Sequence, residues 1–225
     1  MKSFFYGMKF VLKKSLILLK KIQQLMKNLK TNLLSLLLLS LSTLSFAQIE
    51  FGVKGGVGLS NTTIVHGVSK ERFGFTGGAV AKYQLTNKNE NHYLQAEVLY
   101  SNQGEFSLYK EGGEKYKAFL NYVNVPIMYK YYFDDQGKDF FVEAGPQLGF
   151  KVSEKFDEDE PERTNNVPKS FDLALNIGGG YSINRQIEFN LRYQYGLIDT
   201  YDYNRWNNGN NRSSMLSLSV LYFIK

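Results

Sequence analysis

Cysteine is absent from this chain of 225 residues. No disulfide framework can therefore hold it, and an exported protein of this size must draw its stability from a good core or from a membrane. Histidine is nearly absent as well, with His66 in a long polar stretch and His92 beside a short one. A Ser-His-acid site would have to be built across the two ends of the molecule, so both histidines are expected at the surface and no catalytic residue is assigned. Gly55-Gly56-Val57-Gly58 and Gly178 to Gly180 are followed by neither a helix nor a Gly-Lys-Ser/Thr, which excludes a phosphate loop. The acidic run from Asp157 to Glu162 lacks the spaced ligands and turn glycine of a calcium loop, so no metal or other cofactor is expected. No linker, low-complexity block or helical repeat divides the chain.

Acidic residues are missing from the first 47 positions, which are instead apolar and dotted with lysine. Lys27 and Lys30 precede a leucine-rich run from Leu33 to Leu44, and Ser45-Phe46-Ala47 places small residues where a signal peptidase reads. The expectation is a cleaved signal peptide over 1–47, with an over-extended start before Met26 and Gln48 as the mature N-terminus. The leucine run is short for a membrane anchor. Eight of the 27 basic residues and none of the 21 acidic ones lie in this leader, which leaves 19 basic against 21 acidic. The net charge of +6 thus sits in the leader, and it gives no reason to expect a nucleic-acid partner.

What is present is alternation. From Asn121 to Val152, two arms flank the polar turn DDQGK and read as a β-hairpin. Val123, Val125, Ile127, Tyr129, Tyr131 and Phe133 share one face of the first arm, and Tyr122, Asn124, Met128, Lys130 and Tyr132 share the other. In the second arm Phe140, Val142, Ala144, Leu148 and Phe150 oppose Glu143, Gly145, Gln147, Gly149 and Lys151. The same pattern recurs in IEFGVKGGVGLSN, FGFTGGAVAKYQL, Tyr93 to Gln103, FDLALNIGGGYSI, IEFNLRYQYGL and MLSLSVLYFIK. That makes eight strands of about ten residues, the length that crosses a bilayer at a tilt. Long polar connections (62–72, 104–115, 153–169, 199–213) alternate with short ones, the asymmetry of an outer-membrane barrel.

Ten charged residues within the strands all fall opposite the apolar face: Glu50, Lys54, Lys82, Glu97, Lys130, Glu143, Lys151, Asp172, Glu188 and Arg192. Five are acidic and five basic, so they can pair inside a narrow lumen where isolated charges would be costly. Tyr83, Tyr93, Tyr131, Phe133, Phe140, Tyr181 and Ile187 gather near the short-turn ends, and Tyr100, Phe119, Phe150, Phe171 and Tyr195 near the long-loop ends. Two such girdles fit a membrane better than the alternative, a secreted β-sandwich or lipocalin-like binding protein whose polar face would meet water. Pro126 and Pro146 fall inside strands, where local bulges are expected to absorb the missing donor.

These residues resemble the outer-membrane β-barrel domain of the porin-like, PorT-type class. The resemblance rests on NVPIMYKYYF (124–133), VEAGPQLGF (142–150), FDLALNIGGGY (171–181) and LRYQYGL (191–197), and it extends over nearly all of the mature chain. It implies an all-β fold, an eight-stranded antiparallel up-and-down barrel over 48–225, seated in the cell outer membrane. It also implies that the prolines are family features and that Phe223 is the terminal aromatic. The expected role is structural or surface-interacting, with a side-chain-filled lumen and exposed loops; the alternative is a transport or protein-secretion accessory barrel. Expected partners are outer-membrane lipid and a cell-surface or secretion-machinery protein.

Overall fold

Period-two alternation forces each strand to present one apolar face, and such a strand is stable only where that face meets something apolar. The computed structural model of the protein describes residues 49–62, 69–85, 91–108, 115–134, 138–157, 166–203 and 211–224. Its strands are β1 (Ile49–Asn61), β2 (Ser69–Gln84), β3 (His92–Leu108), β4 (Lys115–Tyr132), β5 (Lys138–Phe156), β6 (Asn166–Pro168), β7 (Phe171–Ile183), β8 (Ile187–Asp199), β9 (Tyr201–Tyr203) and β10 (Arg212–Ile224). Eight of them close into one antiparallel barrel in the order β1-β10-β8-β7-β5-β4-β3-β2, and β6 pairs with β9 in a separate two-stranded sheet. Closure runs from Phe51 opposite Ile224 to Asn61 opposite Ser214, so no barrel strand is left as an edge.

The apolar faces turn outward. Phe73, Phe140 and Ile177 are 69 %, 67 % and 65 % exposed, and β8 alternates exposed Phe189, Leu191 and Tyr193 with buried Glu188, Asn190 and Arg192. A band of this kind around a single closed sheet has no second sheet to cover it, so lipid is its complement and the sandwich alternative falls.

Three features differ from the sequence reading. The strands run further at the long-loop end: β2 begins at Ser69 and β5 continues to Phe156, within stretches read as loops, as do β3 to Leu108 and the short β6 and β9. Outside the membrane a sheet can continue with polar side chains, so apolar alternation does not mark where pairing stops. The prolines carry no bulges. Register is the same on both sides of Pro126, with Ala96 opposite Ile127 and Leu99 opposite Asn124. It is likewise unbroken around Pro146, from Pro126 opposite Gln147 to Tyr129 opposite Ala144. Each proline interrupts pairing on one side only and keeps a partner on the other, Gln147 for Pro126 and Leu175 for Pro146. One missing donor costs one rung, and the neighbouring rungs hold the register. The bulges that do occur lie toward the long-loop end, between Glu71 and Thr76, Asn121 and Tyr122, and Arg212 and Ser214.

The third difference concerns an aromatic. Tyr93 is buried in the interior against Tyr132 and Phe141 instead of joining the short-turn girdle. Phe223, the terminal aromatic, keeps the inward parity of Ser217 and Ser219 and packs with Val80 and Leu221, while Tyr222 faces outward. Large rings on the inward face fill the lumen at this end, with Lys82, Glu188 and Arg185 bonded to the tyrosine hydroxyls among them. Glycine serves the same tight wall: a Cβ at Gly180 would lie 1.9 Å from the Phe189 carbonyl oxygen and 2.7 Å from the Phe141 ring.

Candidate functional site in the barrel lumen

Inward-facing charges arise on seven of the strands, and register alone brings some together. Glu50 on β1 stands opposite Lys82 on β2, and Lys130 on β4 opposite Glu143 on β5. The remaining contacts cross the lumen and exist only because the sheet closes.

Near the short-turn end Glu188 is the centre. Lys130 Nζ donates to it at 2.6 Å, Lys82 Nζ at 3.2 Å, and the Tyr132 hydroxyl donates to it as well. Lys82 Nζ also lies 3.4 Å from Glu50, donates to the Arg185 carbonyl at 3.1 Å and sits 3.9 Å from the centre of the Phe223 ring. Lys130 Nζ lies 3.5 Å from Glu143 and 4.3 Å from the Phe141 ring centre, which ties this group to the next.

One layer toward the long-loop end, Arg192 grips Glu97 through both Nη atoms at 2.9 and 2.7 Å and donates from Nε to Glu143 at 2.6 Å. Paired planar donors of this kind suit a carboxylate in two-point contact. Asn190 Nδ2 donates to Glu143 at 3.0 Å and Gln95 Nε2 to Glu97 at 2.5 Å. Lys54 is held more loosely, 3.4 Å from Glu97 and 3.5 Å from the Asn190 amide oxygen.

The structure therefore joins Glu50, Lys54, Lys82, Glu97, Lys130, Glu143, Glu188 and Arg192 in one continuous set, four cations against four carboxylates. Two residues of the ten stand apart. Asp172 accepts from the Ser213 hydroxyl at 2.7 Å with no ion-pair partner among the described residues. Lys151 contacts Glu154 and donates to the Pro168 carbonyl at 2.8 Å, at the edge of the long-loop end.

Sequence reasoning missed Arg185. The turn Asn184-Arg185 has φ of 53° and 52°, and this left-handed geometry folds Arg185 back beneath the barrel. Its guanidinium donates to the Asp134 carbonyl at 2.8 Å, the Tyr93 hydroxyl at 3.2 Å and Asn91 Oδ1 at 3.3 Å, lies 3.5 Å from Asp139, and stacks 4.6 Å over the Tyr132 ring. An arginine in a three-residue turn carries no such signal in one dimension.

Chemically, these groups spend their hydrogen bonds on one another. His92 sits on the outer face, Nδ1 2.6 Å from the Tyr129 hydroxyl and its ring 5.0 Å from that of Tyr131. His66 lies outside the described residues, as does the acidic run beyond Asp157. At that margin the Lys117 backbone amide donates to Asp157 at 2.9 Å and holds its carboxyl below the usual range. No cluster of three or more histidine or acidic side chains able to hold a metal occurs among the described residues.

A family model described as outer membrane protein beta-barrel domain matches residues 45–202. Comparison with curated proteins returns no match. Among solved structures, the attachment invasion locus protein Ail of Yersinia pestis, in complex with the heparin analogue sucrose octasulfate, is 12 % identical, with 79 % of this chain and 99 % of Ail covered at a TM-score of 0.45. Neisserial surface protein A is 17 % identical, with 77 % and 96 % covered at 0.41. The outer membrane protein OprG of Pseudomonas aeruginosa is 13 % identical, with 78 % and 94 % covered at 0.44.

Proposed function

The chain belongs to the outer membrane protein β-barrel domain family and resides in the cell outer membrane, and from that premise we propose that it is a non-conducting anchor that presents its long-loop end at the cell surface. One observation carries this reading: the lumen is crossed by ion pairs whose members Lys82, Lys130, Glu97 and Glu188 are at most 1 % exposed. An eight-stranded barrel is just wide enough for side chains to fill, and here they fill it with mutually neutralised charge. Passage of a solute would require opening several ion pairs at once in a low-dielectric wall. Beneath them the Arg185 fan and the Tyr93, Tyr132, Phe141 and Phe223 rings close the short-turn end.

The function then falls to what meets the outside world, the strand ends and connections at the long-loop end, where a surface or secretion-machinery protein is the partner we assign. None of the lumen groups is placed as a catalyst: the eight networked charges are each engaged by an opposite charge, and Asp172 accepts from the Ser213 hydroxyl. Within the family we place the chain in the PorT-type class on the motifs at 124–133, 142–150, 171–181 and 191–197. Residues 1–47 are assigned as a leader removed before insertion, in keeping with a compact barrel unit that begins at Ile49.

Planar-bilayer recording of the purified, folded protein tests the reading. The expected trace is flat at porin scale; stable stepwise channels of large-porin size would overturn both the sealed lumen and the anchoring role.

A further inference from the structure

Toward the long-loop end the ion pairs of the lumen give way to amides and hydroxyls. Two residues beyond Arg192 on β8, Gln194 stands opposite Asn176 on β7, and both border a cavity that Lys54, Arg192 and Gln147 also line. Space for the centres of water-sized molecules there amounts to about 20 Å³. A buried water needs about 10–15 Å³ by that measure, together with two to four polar partners.

The partners are present and unused. Asn176 Nδ2 donates to Gln147 Oε1 at 3.2 Å, and Gln103 Nε2 reaches Gln194 Oε1 at 3.5 Å. Gln147 Nε2, Gln194 Nε2 and Asn176 Oδ1 are then left without a partner among the described residues, on side chains only 3 to 5 % exposed. Reversing the Gln147 and Asn176 amides together exchanges the roles but still leaves one nitrogen and one oxygen spare. Lys54 adds a donor, because its two contacts at 3.4 and 3.5 Å leave room for a closer acceptor.

We propose that this cavity is a permanent internal hydration site, holding one or two water molecules, each accepting from at most two of Lys54, Gln147 and Gln194 and donating to Asn176. Water fits this inventory because it both donates and accepts. A small anion fits less well. The charges of Lys54 and Arg192 are already answered by Glu97 and Glu143, and the Asn176 oxygen would repel it. The lumen is thus divided, dry and charge-paired toward the short turns and hydrated above Arg192.

Water-to-amide cross-relaxation in the isotopically labelled, refolded barrel in detergent micelles tests this. The side-chain amides of Gln147 and Gln194 should show cross-peaks of the sign given by water that tumbles with the protein. Those of Gln95 and Asn190, bonded to Glu97 and Glu143, should not. Absence of the first pair of peaks overturns the proposal, as does their displacement when bromide replaces sulfate, which would identify an anion as the occupant. The measurement needs no variant to fold. Gln194→Leu, confirmed as folded by its unheated gel mobility, should in addition weaken the Gln147 water peak at least twofold, and an unchanged peak would count against the shared site.

Discussion

Replacing Glu97 by glutamine removes one negative charge from the middle of the lumen and almost nothing else. Its carboxylate accepts from both Nη atoms of Arg192 and from Gln95 and lies 3.4 Å from Lys54, in a side chain 1 % exposed. In the variant, four cations face three carboxylates. Arg192 keeps the Glu143 carboxylate at 2.6 Å, whereas Lys54 keeps only neutral acceptors, the Asn190 amide oxygen at 3.5 Å and the new glutamine oxygen. Breaking a buried pair by removing one partner typically costs about 3–5 kcal/mol, because the surviving charge remains out of water. The value expected here is the lower part of that range, about 3 kcal/mol, since Asn190 and the glutamine oxygen retain some contact with the ammonium. The decisive variant is the double one, Glu97→Gln with Lys54→Met, which restores neutrality while keeping an apolar stem of similar length. It should recover about 1.5 kcal/mol or more of the loss, within the range of coupling energies between neighbours in one network. Urea titration of the refolded barrel in vesicles, followed by the fluorescence of Trp206 and by unheated gel mobility, measures both. A cost below about 1 kcal/mol for the single variant, or a double variant as unstable as the sum of its parts, would refute the view that charge balance holds the lumen together.

Leu191 faces lipid, 53 % exposed, while Asn190 beside it is fully buried in the lumen. Leu191→Arg should therefore lose roughly 2–4 kcal/mol and impair assembly, Asn190→Arg should lose less, and a lipid-phase quencher should dim a tryptophan placed at 191 but not one at 190; equal protection at both would contradict the orientation. Gly180→Val should destabilise the folded barrel by at least about 1–3 kcal/mol, the cost of overpacking, because its side chain has to displace the Phe189 backbone or the Phe141 ring. A urea midpoint equal to that of the parent would show that the wall is looser than its contacts indicate. Mass spectrometry of protein purified from the outer membrane should find Gln48 at the N-terminus, and peptides from before Ala47 would remove the cleaved leader.

Sequence alone determined the strand identities and their faces. A side-chain period of two leaves each residue one of two directions, so Leu191 outside and Asn190 inside follow from their neighbours without any coordinates. It also placed all eight members of the charge network on the inner face. Tertiary closure decided the rest. Glu50–Lys82 and Lys130–Glu143 are neighbours across a strand pair, and antiparallel register suffices for them. Arg192–Glu97, Lys82–Glu188 and Lys130–Glu188 span the lumen, and no one-dimensional spacing encodes which inward charges meet once a sheet curls shut. The same holds for Asp172, which shares the inner face yet lies nearer the long-loop end, where Ser213 is its hydrogen-bond donor. Tyr93 shares the inward parity of Gln95 and Phe223 that of Ser219, so their direction is local, but closure decides that they gather with Tyr132 and Phe141 and with Val80 and Leu221; Arg185 reaches Asp139 and Tyr93 because a left-handed turn aims it under the barrel. Direction is a local property of the chain, set by the pleat; distance between residues far apart in sequence is a property of the closed surface, set by strand number, tilt and register together.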